Sequence, residues 1–432
     1  AELSDRQLAR YLQANVGAVA EVAALAGAEL GLANHLVMGP VILARSLEPR
    51  IPYAVKVHGS ALEYTVKPDP ERFVGLAREG LERAATVLVG SRHTAESLWE
   101  TIADPALPAR TRLGPPGVDV ARFQPRDHDL AAADLAALAQ ALERAPETLP
   151  DGAGAGGGAG ARASPFAPEP RRAGRALGRV RDGEPLVAFV GKLIVSKGPD
   201  LLLAAWPLVL ERVPDARLLM IGFGAYREAL EELAGALRDG DLGRARELAL
   251  AGRALEGAAV THASPLGYLL AFLDGLEGAA AGRYRSAAAA LGERVLFTGR
   301  LEHEELTRVL PACTALVVPS TFPEAFGMVA AEAAACGTLP VSAAHSGLAE
   351  VSGALAARVP APIRPLLSFE LGPGAVEAIA GRLIGWLEAD PELRRRTRQA
   401  LVATVRERWS WESVADAVIA AARGELQRLP EP

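Results

Sequence analysis

At 432 residues, half of them apolar, the chain is long enough for two or three domains with sizeable cores. Acids and bases are interspersed and the formal net charge is -6, which argues against a nucleic-acid-binding surface. The two cysteines, Cys313 and Cys336, are too few for a disulfide framework and fit a reduced, cytoplasmic setting, while no apolar run reaches membrane-spanning length and no signal peptide opens the chain.

In chain order, residues 4–29 keep a helical spacing of Leu, Val and Ala behind Ser4 as N-cap. A strand is predicted over 30–37 and a short helix over 40–46. Tyr53-Ala-Val-Lys-Val is a strand whose end presents His58 before the flexible Gly59. A helix over 70–83, a strand over 85–89, a helix after Gly90 and an extended piece over 112–117 complete an alternating α/β block, hence a parallel sheet. The block supplies about four strands, where a nucleotide-binding half-fold usually has more.

From His128 the character changes. DLAAADLAALAQALERA fits an amphipathic helix, but GAGAGGGAGARASPFAPEPRRAGRALG is of low complexity and is expected to build no packed core. Residues 129–184 therefore read as a disordered linker or insertion.

Pro185 to Gly191 restores order as a buried strand. A loop with Lys192 and Lys197, a helix over 199–212 and a strand over 217–222 make a βαβ unit. Gly222-Phe223-Gly224 closes that strand, and a tight turn explains a lone GxG as well as a ligand does. Residues 235–292 are an Ala-rich, helix-favouring insertion. Asp239-Gly240-Asp241 and Asp127-His128-Asp129 spell a two-aspartate metal pattern, yet neither follows a strand, so the reading is a turn and a linker with no metal. A strand over 295–298 closes on Gly299-Arg300-Leu301, whose backbone suits a nucleobase. From 373 the chain reads as helical to 424, with Trp409 and Trp411 as packing anchors.

Residues 312–350 organise the rest. A buried strand over 315–318 is followed by the loop TFPEAFG, a helix over 328–336 stopped by Gly337, and a second strand over 338–342. Ligands sit at the carboxyl ends of such strands. The N–H groups of Phe326 to Val329, backed by the helix dipole, form an anion site suited to a diphosphate. Glu332 lies one turn into the helix and Glu324 stands just before it. A carboxylate is repelled by phosphate, so both are assigned to sugar hydroxyls. One acid on a ribose diol and one on a hexose describe a nucleotide-sugar.

EAFGMVAAEAAACGTLPV resembles the paired-glutamate motif of retaining glycosyltransferases of family 4. GKLIVSKGPDLL resembles their arginine-or-lysine then lysine-glycine motif, with Lys192 where arginine is commoner. VHGSALEY, VLVGSRHTAESL and PPGVDVARFQP look like the later part of the acceptor domain; its opening strand and glycine-rich loop have no counterpart, so the chain is expected to lack its N-terminal start. The resemblance implies the GT-B fold: two Rossmann-like domains facing a cleft, the first incomplete, with a C-terminal helix crossing back. The expected division is a partial acceptor-side domain over 1–128, a linker over 129–184, a nucleotide-sugar domain over 185–372 with its insertion at 235–292, and C-terminal helices over 373–432.

It also implies transfer of a sugar from a nucleoside diphosphate sugar to a hydroxyl-bearing acceptor (glycan, lipid or small molecule), without metal or other cofactor. The leaving phosphate itself would assist attack on the same face. His58, Lys192, Lys197 and Glu324 would be catalytic. Gly191, Gly222, Gly224, Arg300, Phe326, Gly327, Met328, Val329 and Glu332 would hold the donor. Nucleic acid is not an expected partner; peripheral membrane contact stays open. Two other readings also stay open: another GT-B-type enzyme, such as a sugar-nucleotide epimerase or a phosphorylase, and a non-catalytic nucleotide-sugar-binding module. No lysine stands in the pattern of a pyridoxal phosphate linkage, which weighs against the phosphorylase.

Overall fold

The computed structural model describes residues 3–146, 168–257 and 264–432. They form two compact units, each built on a parallel sheet.

The first unit comprises Ala1–Val118, Glu324–Phe326 and Glu407–Pro432. Its four-stranded sheet runs in the order β1 (Gly31–Asn34), β2 (Tyr53–Val57), β3 (Thr86–Val89), β4 (Thr111–Leu113), all parallel. Alternation along β2 divides the core. Tyr53, Val55 and Val57 face a large cluster with Leu36, Val41, Leu62 and Leu98. Ala54 faces the other way, where Leu88 meets Ala420, Ala421 and Ala422 of the helix Trp411–Ala422. The alanines of the helix, with Ala54 on the sheet, let that helix lie close to the sheet. β1 is shorter than the predicted strand over 30–37, because His35 turns to φ 68 and leaves the extended path.

The second unit comprises Asp119–Pro323 and Gly327–Arg406. Its six-stranded sheet has the order β10 (Ser368–Phe369), β9 (Leu339–Ala343), β8 (Ala315–Val318), β5 (Leu186–Val190), β6 (Arg217–Ile221), β7 (Val295–Gly299). The central strands are apolar apart from Arg217 at the start of β6, since helices cover both faces of a parallel sheet. The helices Pro199–Arg212 and Ala375–Leu387 bury Trp206 and Trp386, and the Trp386 indole donates to the Thr314 carbonyl at 2.8 Å. The helix-favouring insertion docks here too: the Tyr284 hydroxyl donates to the Ala204 carbonyl at 2.9 Å.

Three expectations are corrected. Part of the low-complexity stretch is ordered: Pro170–Leu177 is a helix that buries Ala173, Gly174, Ala176 and Leu177 against the helix His128–Arg144. Small residues, which supply little apolar area, here permit close approach: a Cβ on Gly174 would lie 2.4 Å from the Glu143 nitrogen. Residues 147–167 of that stretch lie outside the described residues. Trp411 is not a buried anchor; it is 55% exposed and covers the backbone of Gly117, while Trp409 is buried. The C-terminal region is also interrupted, with Pro391 and Ser410 opening new helices Pro391–Trp409 and Trp411–Ala422. No helix of the described residues is long and apolar enough to cross a membrane.

Candidate active site

In the second unit the carboxyl ends of β5, β6, β7 and β8 lie side by side. β5 leads through Gly191 and the exposed Lys192 into a 3-10 turn, Val195–Lys197. That turn is held from two directions. Glu256, in the insertion, accepts from the Val195 N–H at 2.8 Å, and the Thr321 N–H, after β8, donates to the Ser196 carbonyl at 2.9 Å. The GxG after β6 has a structural cause: the Leu193 N–H donates to the Phe223 carbonyl at 2.8 Å, and a Cβ on Gly222 (φ 155) would come 1.8 Å from the Gly191 carbonyl oxygen. No side chain fits between these loops. At the end of β7, Arg300 stacks over the Phe223 ring at 5.4 Å and pairs with Glu302 at 3.0 Å.

After β8 the helix Met328–Ala335 begins at Gly327, whose φ of 102 suits glycine and whose added Cβ would strike Leu348 at 2.5 Å. The first N–H groups of such a helix lack intrahelical partners and carry its positive dipole end. Glu332, one turn on, is only 8% exposed. His303 holds it, Nε2 to Oε1 at 2.9 Å. Burial pushes the Glu332 carboxyl above its ordinary value, with His303 pulling it back. The His303 ring packs on Phe123 at 4.8 Å.

The sequence reading missed His303, although it opens the helix that follows β7 and so faces the same sheet edge. It also missed Glu256, which no local pattern marks. His345, after β9, joins two loops: its Nε2–H donates to the Ser320 carbonyl at 2.7 Å, which leaves Nδ1 to accept from Ser346 Oγ at 3.0 Å.

In the first unit, His58 stands past the end of β2 with Nε2 2.9 Å from Asn34 Oδ1, so Nε2 carries the hydrogen. Burial first, then Lys56 and His35, lower its pKa, and the neutral ring keeps Nδ1 as an acceptor. Lys56 is itself buried, which lowers its pKa, and donates to the Pro115 carbonyl at 3.1 Å. Glu324 and Phe326 pack with this unit: the Phe326 ring meets Trp409 edge-on at 5.3 Å, and Gly90 leaves room for the Ala325 carbonyl.

The predicted residues thus fall into two groups. Gly191, Lys192, Lys197, Gly222, Gly224, Arg300, Gly327, Met328, Val329 and Glu332 share one sheet edge of the second unit, and His58, Glu324 and Phe326 belong to the first.

Residues 172–241 and 269–401 match the family described as Glycosyl transferases group 1. Over 261 residues the chain is 26% identical to a GDP-mannose-dependent monoacylated alpha-(1-6)-phosphatidylinositol monomannoside mannosyltransferase of Corynebacterium glutamicum, covering 59% of this chain and 51% of that protein. It is 30% identical over 262 residues to a D-inositol 3-phosphate glycosyltransferase of Segniliparus rotundus, covering 61% and 45%. The chain therefore spans about half the length of these curated relatives. Among solved structures, HepE of Anabaena in complex with UDP superposes with a TM-score of 0.55 at 17% identity, over 96% of this chain and 82% of that one. Sucrose-phosphate synthase of Thermosynechococcus elongatus superposes with a TM-score of 0.51 at 21% identity, over 99% and 79%. The chain has the GT-B fold of these solved structures, and its residues 172–241 and 269–401 match the group 1 glycosyl transferase family.

Proposed function

We propose that the chain is a retaining glycosyltransferase of family 4, moving a sugar from a nucleoside diphosphate sugar to a hydroxyl-bearing acceptor. The observation that carries this reading is Glu332: a buried carboxylate fixed by His303, one turn into a helix whose N-terminus shares a sheet edge with the Lys192–Lys197 loop. An acceptor for a diol thus stands beside donors for a diphosphate. Relatives support the donor class, since one is named as GDP-mannose-dependent and the Anabaena protein was solved with UDP-glucose.

In this reading Glu332 accepts from the ribose hydroxyls, while Lys192, Lys197 and the N–H groups of Met328 and Val329 bind the diphosphate. Gly191, Gly222 and Gly224 keep the floor free of side chains, Arg300 flanks the base, and Glu324 with the Phe326–Gly327 backbone binds the sugar hydroxyls. As the bond from the anomeric carbon to the phosphate oxygen breaks, the lysines stabilise the charge left on the diphosphate. That phosphate takes the proton of the acceptor hydroxyl, whose oxygen attacks the same face. His58, neutral at physiological pH, hydrogen-bonds a sugar hydroxyl through Nδ1. No metal or other cofactor takes part.

The test is incubation with a panel of UDP- and GDP-sugars and a mixed acceptor pool, with the product's anomeric configuration read by NMR. Transfer with retention is expected. Inversion removes the retaining assignment, and binding of donor without any transfer favours the non-catalytic module.

A further inference from the structure

The second unit contains a cavity of about 1160 Å³ at the opposite end of its sheet, floored by residues that precede β5, β8 and β9. A five-residue strand separates it from the candidate donor edge by roughly 16 Å. One wall is the helix His128–Arg144, presenting Ala131, Leu135 and Ala139; the facing wall is Pro391–Trp409, presenting Arg394, Arg395, Arg398, Val402 and Arg406. Arg126 and Arg181 complete the basic lining.

Some of these charges are already matched. Arg126 pairs with Asp134 and Arg395 with Glu392 at 2.6 Å. The lining carboxylates are Asp127, Glu143, Asp182 and Glu184. Glu184 is engaged by Arg217 and Arg294 at 2.6 and 2.8 Å, and Asp182 lies 3.9 Å from His128. Among the described residues, no carboxylate lies within ion-pair distance of Arg394 or Arg398, one turn apart and both half-buried. The Arg398 guanidinium lies over Gly337, 3.3 Å from where a Cβ would be, and reaches the Arg126 carbonyl only at 3.4 Å. Arg126 Nε is buried without a partner. Burial lowers the Arg398 pKa, with Asp127 pulling it back through space and Arg394 adding repulsion, so the Asp127 charge offsets the desolvation only in part.

We infer that this cavity binds a phosphate bearing an apolar body, its phosphate held by Arg126, Arg394 and Arg398 and its body laid along Ala131, Leu135 and Ala139. Guanidinium groups match phosphate oxygens two at a time, and the middle of the opposite wall offers methyl and isobutyl groups, with the polar Gln140 and Glu143 towards its end. Such a ligand comes either from a lipid headgroup or from a soluble phosphate monoester. The inference does not depend on the donor-site reading.

The test uses the full chain and two probes. Calorimetric titration with dihexanoyl phosphatidic acid, kept below its micelle concentration, is expected to show saturable binding. R394Q/R398Q should weaken it at least ten-fold, and so should Ala136→Glu, which places a carboxylate in the lining at an exposed helical position without removing packing. UDP binding and the melting temperature report whether each variant is folded. Co-sedimentation with phosphatidylglycerol vesicles, against phosphatidylcholine vesicles, separates the sources. Sedimentation with the anionic vesicles alone assigns a lipid headgroup, and short-chain binding without it assigns a soluble ligand. No saturable binding of the short-chain probe, or equal binding by both folded variants, overturns the inference.

Discussion

Glu332 shows how a carboxylate is prepared for a neutral partner. It is buried and held by His303 through one oxygen, which leaves the rest of its acceptor capacity for hydroxyls. Glu332→Ala is expected to weaken UDP or GDP binding by about 1–3 kcal/mol, the range for losing charge-assisted hydrogen bonds; unchanged calorimetric affinity in the folded variant removes the ribose assignment. Lys192→Ala or Lys197→Ala should weaken UDP far more than uridine if the lysines meet only the diphosphate, as proposed; equal losses for both ligands mean a folding defect. Asp200 makes a different point. It is fully buried in the first turn of the helix after the lysine loop, its Oδ1 has no hydrogen-bond partner among the described residues, and burial pushes its carboxyl up to about 7. Because its folded pKa is raised, the native state holds a proton that the unfolded state gives up near pH 4. Stability is therefore lost as pH rises from about 4 to 7, by about 4 kcal/mol at most. Asp200→Asn should gain on the wild type more at pH 8 than at pH 5 in urea unfolding, and an equal gain at both contradicts the burial account. That Glu332 and the lysines share one sheet edge was legible, because each follows a buried strand by a short loop or one helical turn. His303 and Glu256 were not, since each acts across a long stretch of chain.

Among the elements, the helices Pro199–Arg212 and Met328–Ala335 were legible because Pro, Gly and apolar runs punctuate them. The helix Pro170–Leu177 was not. Its composition argues for disorder, and it is ordered by contact: Gly174 brings it against His128–Arg144 closer than any larger residue allows. Gly174→Ala should force the two helices apart and cost about 1–3 kcal/mol, as overpacking does. Thermal melting checks this, and an unchanged melting temperature means that the pair separates freely. The insertion was legible as helical but not as anchored, because neither the Tyr284 contact with Ala204 nor the Glu256 contact with Val195 follows a local pattern.

For the whole molecule, alternating strands and helices made the two parallel sheets legible, since strand, crossover and strand admit few arrangements. The sheet order of the second unit puts β5, β6, β7 and β8 in contact, so their loops share an edge although β6 and β8 are far apart in sequence. That shared edge is what the proposed donor, bearing both a ribose and a diphosphate, would occupy. The most direct test is calorimetric titration of the full chain with UDP, GDP, UDP-glucose and GDP-mannose, each against uridine or guanosine alone. The expected result is saturable one-to-one binding of at least one diphosphate and its sugar, with the nucleoside weaker by a factor of ten or more. Failure of all four to bind, or nucleosides binding as tightly as their diphosphates, would contradict the assignment of this edge to a nucleoside diphosphate sugar.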